Sequence, residues 1–147
     1  MNNIKIVDPH YVDSKEVTKS NIPRVKKDGK LMHELCFEMH GIYKGGMAVA
    51  HSQITKKKPL RFFVTKENKI IVNPVITRHT KTTVNSPEGC LSFADKPQNM
   101  VQRWYKCVVE YYLLEDGELI KQIENVKGTT AFVFQHEIDH FDSKYVW

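Results

Sequence analysis

The six residues Gln-His-Glu-Ile-Asp-His at 135–140 bring two imidazoles and a carboxylate close together in sequence. On a helix, residues four apart share a face, so His136 and His140 can reach one metal ion together. Glu137 follows the first histidine and can reach a water on that metal. A divalent cation acidifies such a water, and a neighbouring carboxylate takes its proton. This is hydrolytic chemistry, and the spacing is that of HExxH. Two histidines alone at this spacing are more often plain helix-surface residues. With Glu137 between them on an amphipathic segment, metal binding becomes the better reading. An open hydrolytic site needs a third protein ligand. Only seven residues follow His140, and their one acid, Asp142, is badly placed to wrap round. The third ligand is therefore expected upstream.

Glu88-Gly-Cys-Leu-Ser supplies a candidate in Cys90. A thiolate is a strong soft ligand, and a bound cation deprotonates it. Gly89 is expected to let the backbone turn sharply before the cysteine. A buried, inert thiol is the commoner state of a free cysteine. Cys36 and Cys107 fit that state, one on an expected helix and one in an apolar strand. The three cysteines form no CxxC pair, and an odd count argues against a disulfide framework.

These residues must be positioned by a scaffold. Leu31, Leu35, Met39 and Ile42 recur at helical spacing and predict a helix over 28–40, ended by Gly41, Gly45 and Gly46. The middle of the chain reads as strands at 47–50, 61–65, 69–73, 81–84, 106–114 and 119–126, with Pro74 at an edge or strand end. Glu115-Asp-Gly-Glu is a type I′ hairpin turn. Ala131, Phe134, Ile138 and Phe141 predict a helix over 130–141, capped by Thr129 or Thr130. The first 22 residues read as irregular, with a turn at Asp8-Pro9. The expected fold is α+β: antiparallel strands packed around a central metal-binding helix near the C-terminus, with an N-terminal helix, in one domain over 1–147.

The 41% hydrophobic and 27% charged residues are ordinary for a globular chain. No apolar run is long enough for a bilayer, so no membrane partner is expected. The N-terminus lacks a secretory signal, and the first twenty residues lack the arginines of a transit peptide. A cytoplasmic location is the expectation. The net charge of +5 and the run Lys56-Lys-Lys58 fit attraction to a polyanion such as the ribosome, or simply a solvated loop. No RNA-recognition motif accompanies the lysines, and no specific DNA partner is expected.

Glu-Gly-Cys-Leu-Ser and Gln-His-Glu-Ile-Asp-His, in this order, resemble two of the three signature motifs of the peptide deformylase family. Asn73-Pro74-Val75-Ile76 is similar to the family's Asn-Pro strand before the cysteine, and Val101-Gln102-Arg103 to its Val-x-Arg after it. The resemblance spans roughly residues 28 to 143. The family's first motif is G-h-G-h-A-A-x-Q, with h apolar, and here it reads Gly46-Met-Ala-Val-Ala-His-Ser-Gln53. Ala48 replaces a glycine and His51 replaces an alanine. A methyl at Ala48 is expected to narrow the cleft, unless local repacking absorbs it. After the last histidine the family usually continues Leu-x-Gly, where this chain reads Phe141-Asp-Ser143.

The resemblance implies an amide hydrolase that removes the formyl group from N-formylmethionyl nascent peptides. It implies Cys90, His136 and His140 as ligands of one divalent metal, ferrous iron, with water completing the site. The ligand set alone also suits zinc, nickel or cobalt. Glu137 would accept the proton of the attacking water and return it to the leaving amine. The Gln53 amide and the Leu91 backbone N–H match the family's oxyanion donors. Gly46, Met47, Ala48 and Val49 of the first motif, with Glu88 and Gly89 of the second, would lie along the substrate. Met47, Phe132 and Val133 are candidates for the methionine pocket, and core packing is equally open for all three. Arg103 would contact the peptide or support Glu88, unless it is a plain surface arginine. Asp139 would partner a ligand histidine or face solvent. Three alternatives remain at this level. The changed first motif fits a weak enzyme acting as a binding module for peptide N-termini, or a hydrolase of another acyl group or peptide. The basic charge fits an RNA-associated protein with a structural metal closed by His51.

Overall fold

A computed structural model describes residues 5–38, 46–93 and 95–147. The first helix, α1, runs Ile22–His33 and continues through Glu34–Glu38 as a wider π turn. It starts six residues before the expected 28. Pro23 in the first turn presets the helical φ there, and Val25 begins the buried face that Met32 and Cys36 continue. Gly29 sits inside the helix because a Cβ would meet Ile70 Cδ1 at 2.8 Å. Met39, Gly41, Ile42 and Gly45 lie outside the described residues.

Among the described residues seven strands follow: β1 Ala48–Ala50, β2 Phe62–Thr65, β3 Ile70–His79, β4 Thr83–Glu88, β5 Asn99–Trp104, β6 Lys106–Glu115 and β7 Glu118–Lys127. A five-stranded sheet has the order β1-β2-β3-β6-β7, and β4 pairs with β5 in a small second sheet. All these pairings are antiparallel. The second helix, α2, spans Thr129–Phe141.

One expectation about strands changes, and one strand is new. Pro74 does not end its strand, because the register shifts between Val72 and Val75 and the ladder resumes beyond. The bulge gives Pro74 a place where its missing N–H is not required. Asn73, at φ +50, takes the left-handed turn, and its side chain pins the N-terminal segment by accepting the Val17 N–H at 2.8 Å and donating to the Val17 carbonyl at 3.0 Å. β5 had no strand expectation at all. Asp116 and Gly117 both have positive φ, +50 and +78, as a type I′ turn requires.

The large sheet is sandwiched. On one face Ala131, Phe134 and Phe141 of α2 pack with Ala48, Ala50, Phe63, Ile71, Val109 and Tyr111. On the other, Val25, Met32 and Cys36 meet Val49, Phe62, Val64 and Val72. Burial of each valine, isoleucine, methionine or phenylalanine among them contributes about 1.5–3 kcal/mol. The alternation along β1 sends Ala48 and Ala50 toward α2 and Val49 toward α1. The apolar stripe of α2 is thus spent on the sheet. Its other side is turned to β4 and to the segment after it. The helix begins at Gly128, not at a threonine cap. Gly128 has φ +60 and ψ −135, a conformation that strains any side chain, and neither threonine caps the end. Among the described residues no helix is long and apolar enough to cross a membrane.

Candidate metal centre

α2 carries His136 and His140 on one side, and the end of β4 delivers Cys90 to them. The ligand atoms of these three residues all lie within 4.8 Å of one another. Cys90 Sγ is 3.5 Å from His140 Nε2. Metal bonds of about 2.3 Å to sulfur and about 2.0 Å to nitrogen, at a tetrahedral angle, would set that pair about 3.5 Å apart. The spacing therefore fits a common cation. His140 Nδ1 and Glu137 Oε2 are buried without hydrogen-bond partners among the described residues. Unpaired buried polar atoms are costly, so they mark a place built for further partners.

Proton affinities around the cluster are pushed apart. Burial opposes the charge on His136, but hydrogen bonds with Cys90 and Glu88 outweigh it and raise the imidazole to about 10. His140 falls well below its ordinary value through burial and the neighbouring His136. The two rings thus differ widely in proton affinity, as two imidazoles crowded against one thiol must, and a cation would serve all three groups. Glu137 is 3% exposed, and burial raises its carboxyl to about 7. Cys36 and Cys107 are buried, and desolvation raises both thiols, that of Cys36 to about 12. Neither belongs to the cluster.

A buried ionic network braces the first histidine. Glu88 Oε1 accepts from His136 Nδ1 at 2.8 Å. Arg103 grips the same carboxylate with Nε at 2.9 Å and Nη2 at 2.8 Å, and donates to Asp139 at 2.7 Å. Burial works against the Glu88 carboxylate, yet the bonds from His136 and Arg103 hold it down at about 2. The histidine's partner is therefore Glu88, and Asp139 instead serves Arg103. Both Glu88 and Arg103 are turned into this network, where the sequence left a peptide contact open. Both residues belong to the β4–β5 hairpin, but Glu88 lies opposite Asn99 and Arg103 opposite Val84, so the register alone does not set them side by side.

The turn His51–Gln53 follows β1. Gln53 Oε1 accepts the Ala50 N–H at 2.8 Å, which leaves its Nε2 facing Cys90 Sγ at 3.5 Å and Ser92 Oγ at 3.2 Å. Leu91 opens a 3-10 turn, Leu91–Phe93. Its N–H therefore has no carbonyl to meet within that turn. His51 is not a fourth ligand. It is fully buried away from the cluster, with Nε2 on Asp28 and Nδ1 on the Leu60 N–H.

Other expected positions separate. The Ala48 methyl packs against α2 in the core, so it does not narrow a cleft, and Val49 is buried toward α1. Met47 is 49% exposed. Gly46 lies against the Leu91 side chain, which a Cβ would meet at 3.4 Å, an ordinary contact. Gly89 has no left-handed φ, and a Cβ there would meet only Gln98 Cγ at 3.7 Å, so the turn before Cys90 does not depend on it. Val133 packs against the α2 core, and Phe132 makes an edge contact with Tyr105. Sequence reasoning missed Ser92 as a neighbour of the Gln53 amide, and Tyr145, whose ring lies 5.2 Å from that of His140. Neither has a spacing signal, because both are brought in by loops.

An HExxH helix, a thiol from a separate hairpin and a buried carboxylate define a class, the metal-dependent hydrolases. Comparison with known proteins narrows it. The polypeptide deformylase family matches residues 8–147. A peptide deformylase of Thermus thermophilus is 32% identical over 136 residues, covering 84% of this chain and 67% of that protein. The crystal structure of the Thermotoga maritima peptide deformylase superposes with a TM-score of 0.79 at 27% identity, covering 99% of this chain and 96% of that one. The deformylase of Vibrio parahaemolyticus bacteriophage VP16T, solved in complex with actinonin, gives 0.69 at 30% identity, covering 97% and 99%. This chain belongs to the peptide deformylase family, a metal-dependent family of enzymes, and its activity is deformylation of formylated peptides.

Proposed function

We propose that Cys90, His136 and His140 hold one divalent metal, ferrous iron in the cell, and that the chain removes formyl from the N-terminal methionine of nascent polypeptides as a single cytoplasmic domain. The convergence of the three ligand atoms within 4.8 Å beside a buried carboxylate carries this reading. A bound cation supplies an acidified water and polarises the formyl carbonyl. Glu137, raised to about 7 by burial, takes the water's proton as the formyl carbon is attacked. It then returns the proton to the leaving amine, giving formate and a free amino terminus. The Gln53 amide and the Leu91 N–H donate to the developing oxyanion, each such donor contributing roughly 3 kcal/mol. Glu88 fixes the orientation of His136, and Arg103 fixes Glu88. Exposed Met47 is the candidate for the path of the methionine side chain, since Val133 is taken up in core packing and Phe132 against Tyr105.

Ribosome association belongs to the same proposal, supported by the net charge of +5 and the exposed run at 56–58. No membrane and no specific DNA partner is part of it. The deciding experiment is formate release from formyl-Met-Ala-Ser by protein prepared without oxygen and loaded with nickel or ferrous iron. Turnover is expected, with Glu137→Gln keeping the metal and losing the rate. Normal turnover in Glu137→Gln would end this mechanism.

A further inference from the structure

The turn that carries Gln53 is clamped at every residue, and His51 is its inner clamp. The His51 Nδ1 accepts the Leu60 N–H at 2.9 Å, so the ring proton sits on Nε2 and is donated to Asp28 Oδ2 at 2.8 Å. The ring stacks on Phe62, centroid to centroid at 4.6 Å. Asp28 lies on α1 beside Arg24, at 3.5 Å, and the Arg24 guanidinium donates to the Lys57 and Lys58 carbonyls. One imidazole therefore ties together α1, the segment leading into β2 and the turn at the metal centre.

The remaining clamps are on the backbone. His10 Nε2 donates to the Ser52 carbonyl at 2.8 Å, and the Val7 N–H donates to the Gln53 carbonyl at 2.8 Å. None of these groups faces the cluster. Their common effect is on where the Gln53 amide points. An alanine at 51, as in the family's motif, would leave the Leu60 N–H and Asp28 without the imidazole and a void beside Phe62.

We propose that His51 is a positioning residue, which, held between Asp28 and the Leu60 amide, sets the turn that aims the Gln53 amide at the oxyanion. This rests on the donor role given to Gln53 above. A misplacement of about 1 Å in such a group can cost up to about 10²-fold in rate.

The test is formate release from formyl-Met-Ala-Ser by nickel-loaded wild type, His51→Ala, His51→Gln, Gln53→Ala and the double variant His51→Ala with Gln53→Ala. His51→Ala is expected to lower kcat about tenfold or more while KM stays within about twofold and the metal remains bound. His51→Gln keeps a donor for Asp28 and should recover part of the loss. Gln53→Ala should cost about 10²-fold or more, and the double variant no more than that, because both losses act through one amide. Losses that multiply, or a wild-type kcat in His51→Ala, overturn the proposal. Should His51→Ala fail to fold, Asp28→Asn on the partly exposed face of α1 enters the same cycle under the same criteria. A Gln53→Ala protein as active as wild type removes the donor role and this proposal with it, while wild-type formate release still stands for the deformylase reading.

Discussion

Replacing Glu88 by Gln removes a negative charge from the middle of a buried network without changing its shape. The carboxylate receives Arg103 Nε and Nη2 and His136 Nδ1, at 2.9, 2.8 and 2.8 Å. The Glu88 and Arg103 side chains are only 10% and 6% exposed, so the ion pair is not of the solvent-screened kind that contributes under about 1 kcal/mol. Taking one partner from a buried pair typically costs about 3–5 kcal/mol, because the other charge is stranded. The acidity of the carboxyl gives a second estimate. Its fall from an ordinary 4.5 to about 2 corresponds to about 3 kcal/mol of folding stability. Since the folded value is the lower one, that stability is complete above 4.5 and is lost as pH falls toward about 2. Urea denaturation should therefore show Glu88→Gln less stable by about 3 kcal/mol at neutral pH, with the gap shrinking in acid. Metal affinity should drop about 10- to 100-fold, since the orienting acceptor of His136 is weakened. A neutral-pH difference below about 1 kcal/mol together with unchanged metal affinity would refute the account of this network.

Three further outcomes follow from the same geometry. Cys90→Ser should bind metal more weakly, read as metal retained after dialysis against a mild chelator, because a hydroxyl is a poorer ligand than a thiolate; full retention would remove Cys90 from the ligand set. The rate should fall on the acid side as Glu137 is protonated, with the limb at or below about 7 because a bound cation favours the carboxylate over the value set by burial; a pH-independent kcat/KM through this range would exclude Glu137 as the base. Gly117→Ala should lower stability by about 1–2 kcal/mol through left-handed strain alone, since φ is +78 and nothing lies within 4 Å of the new methyl; thermal unfolding with an unchanged midpoint would contradict this.

The parts of the fold legible in the sequence are those with a strong local period. The α2 stripe, the Asp116-Gly117 hairpin and the apolar strands all announce themselves. β5 does not, because Asn99–Trp104 alternates only weakly and lies half exposed on a two-stranded sheet. The start of α1 is weakly signalled, because lysines and Asp28 surround its apolar positions Ile22 and Val25; Val25, Met32 and Cys36 are the face it buries, and a proline stands in the first turn. At the site, the three candidate ligands were readable since HExxH needs only local spacing and Cys90 stood among polar neighbours. The support around them was not. Glu88 and Arg103 meet although they stand opposite Asn99 and Val84 in the β4–β5 ladder, and His51 meets Asp28 across two elements; no sequence period records either.

The ligand cluster joins Cys90 to residues on α2, 46 and 50 positions later in the chain. Until residue 140 has been made, no such cluster can exist, whatever the sheet has already achieved. During synthesis at about 5–20 residues per second, the thiol therefore spends several seconds without its partners. In that interval it is an ordinary free cysteine open to oxidants, and afterwards it is half-buried beside its two histidines. An enzyme of this family, whose substrates are chains still being born, thus has no assembled centre until its own residue 140 has been made.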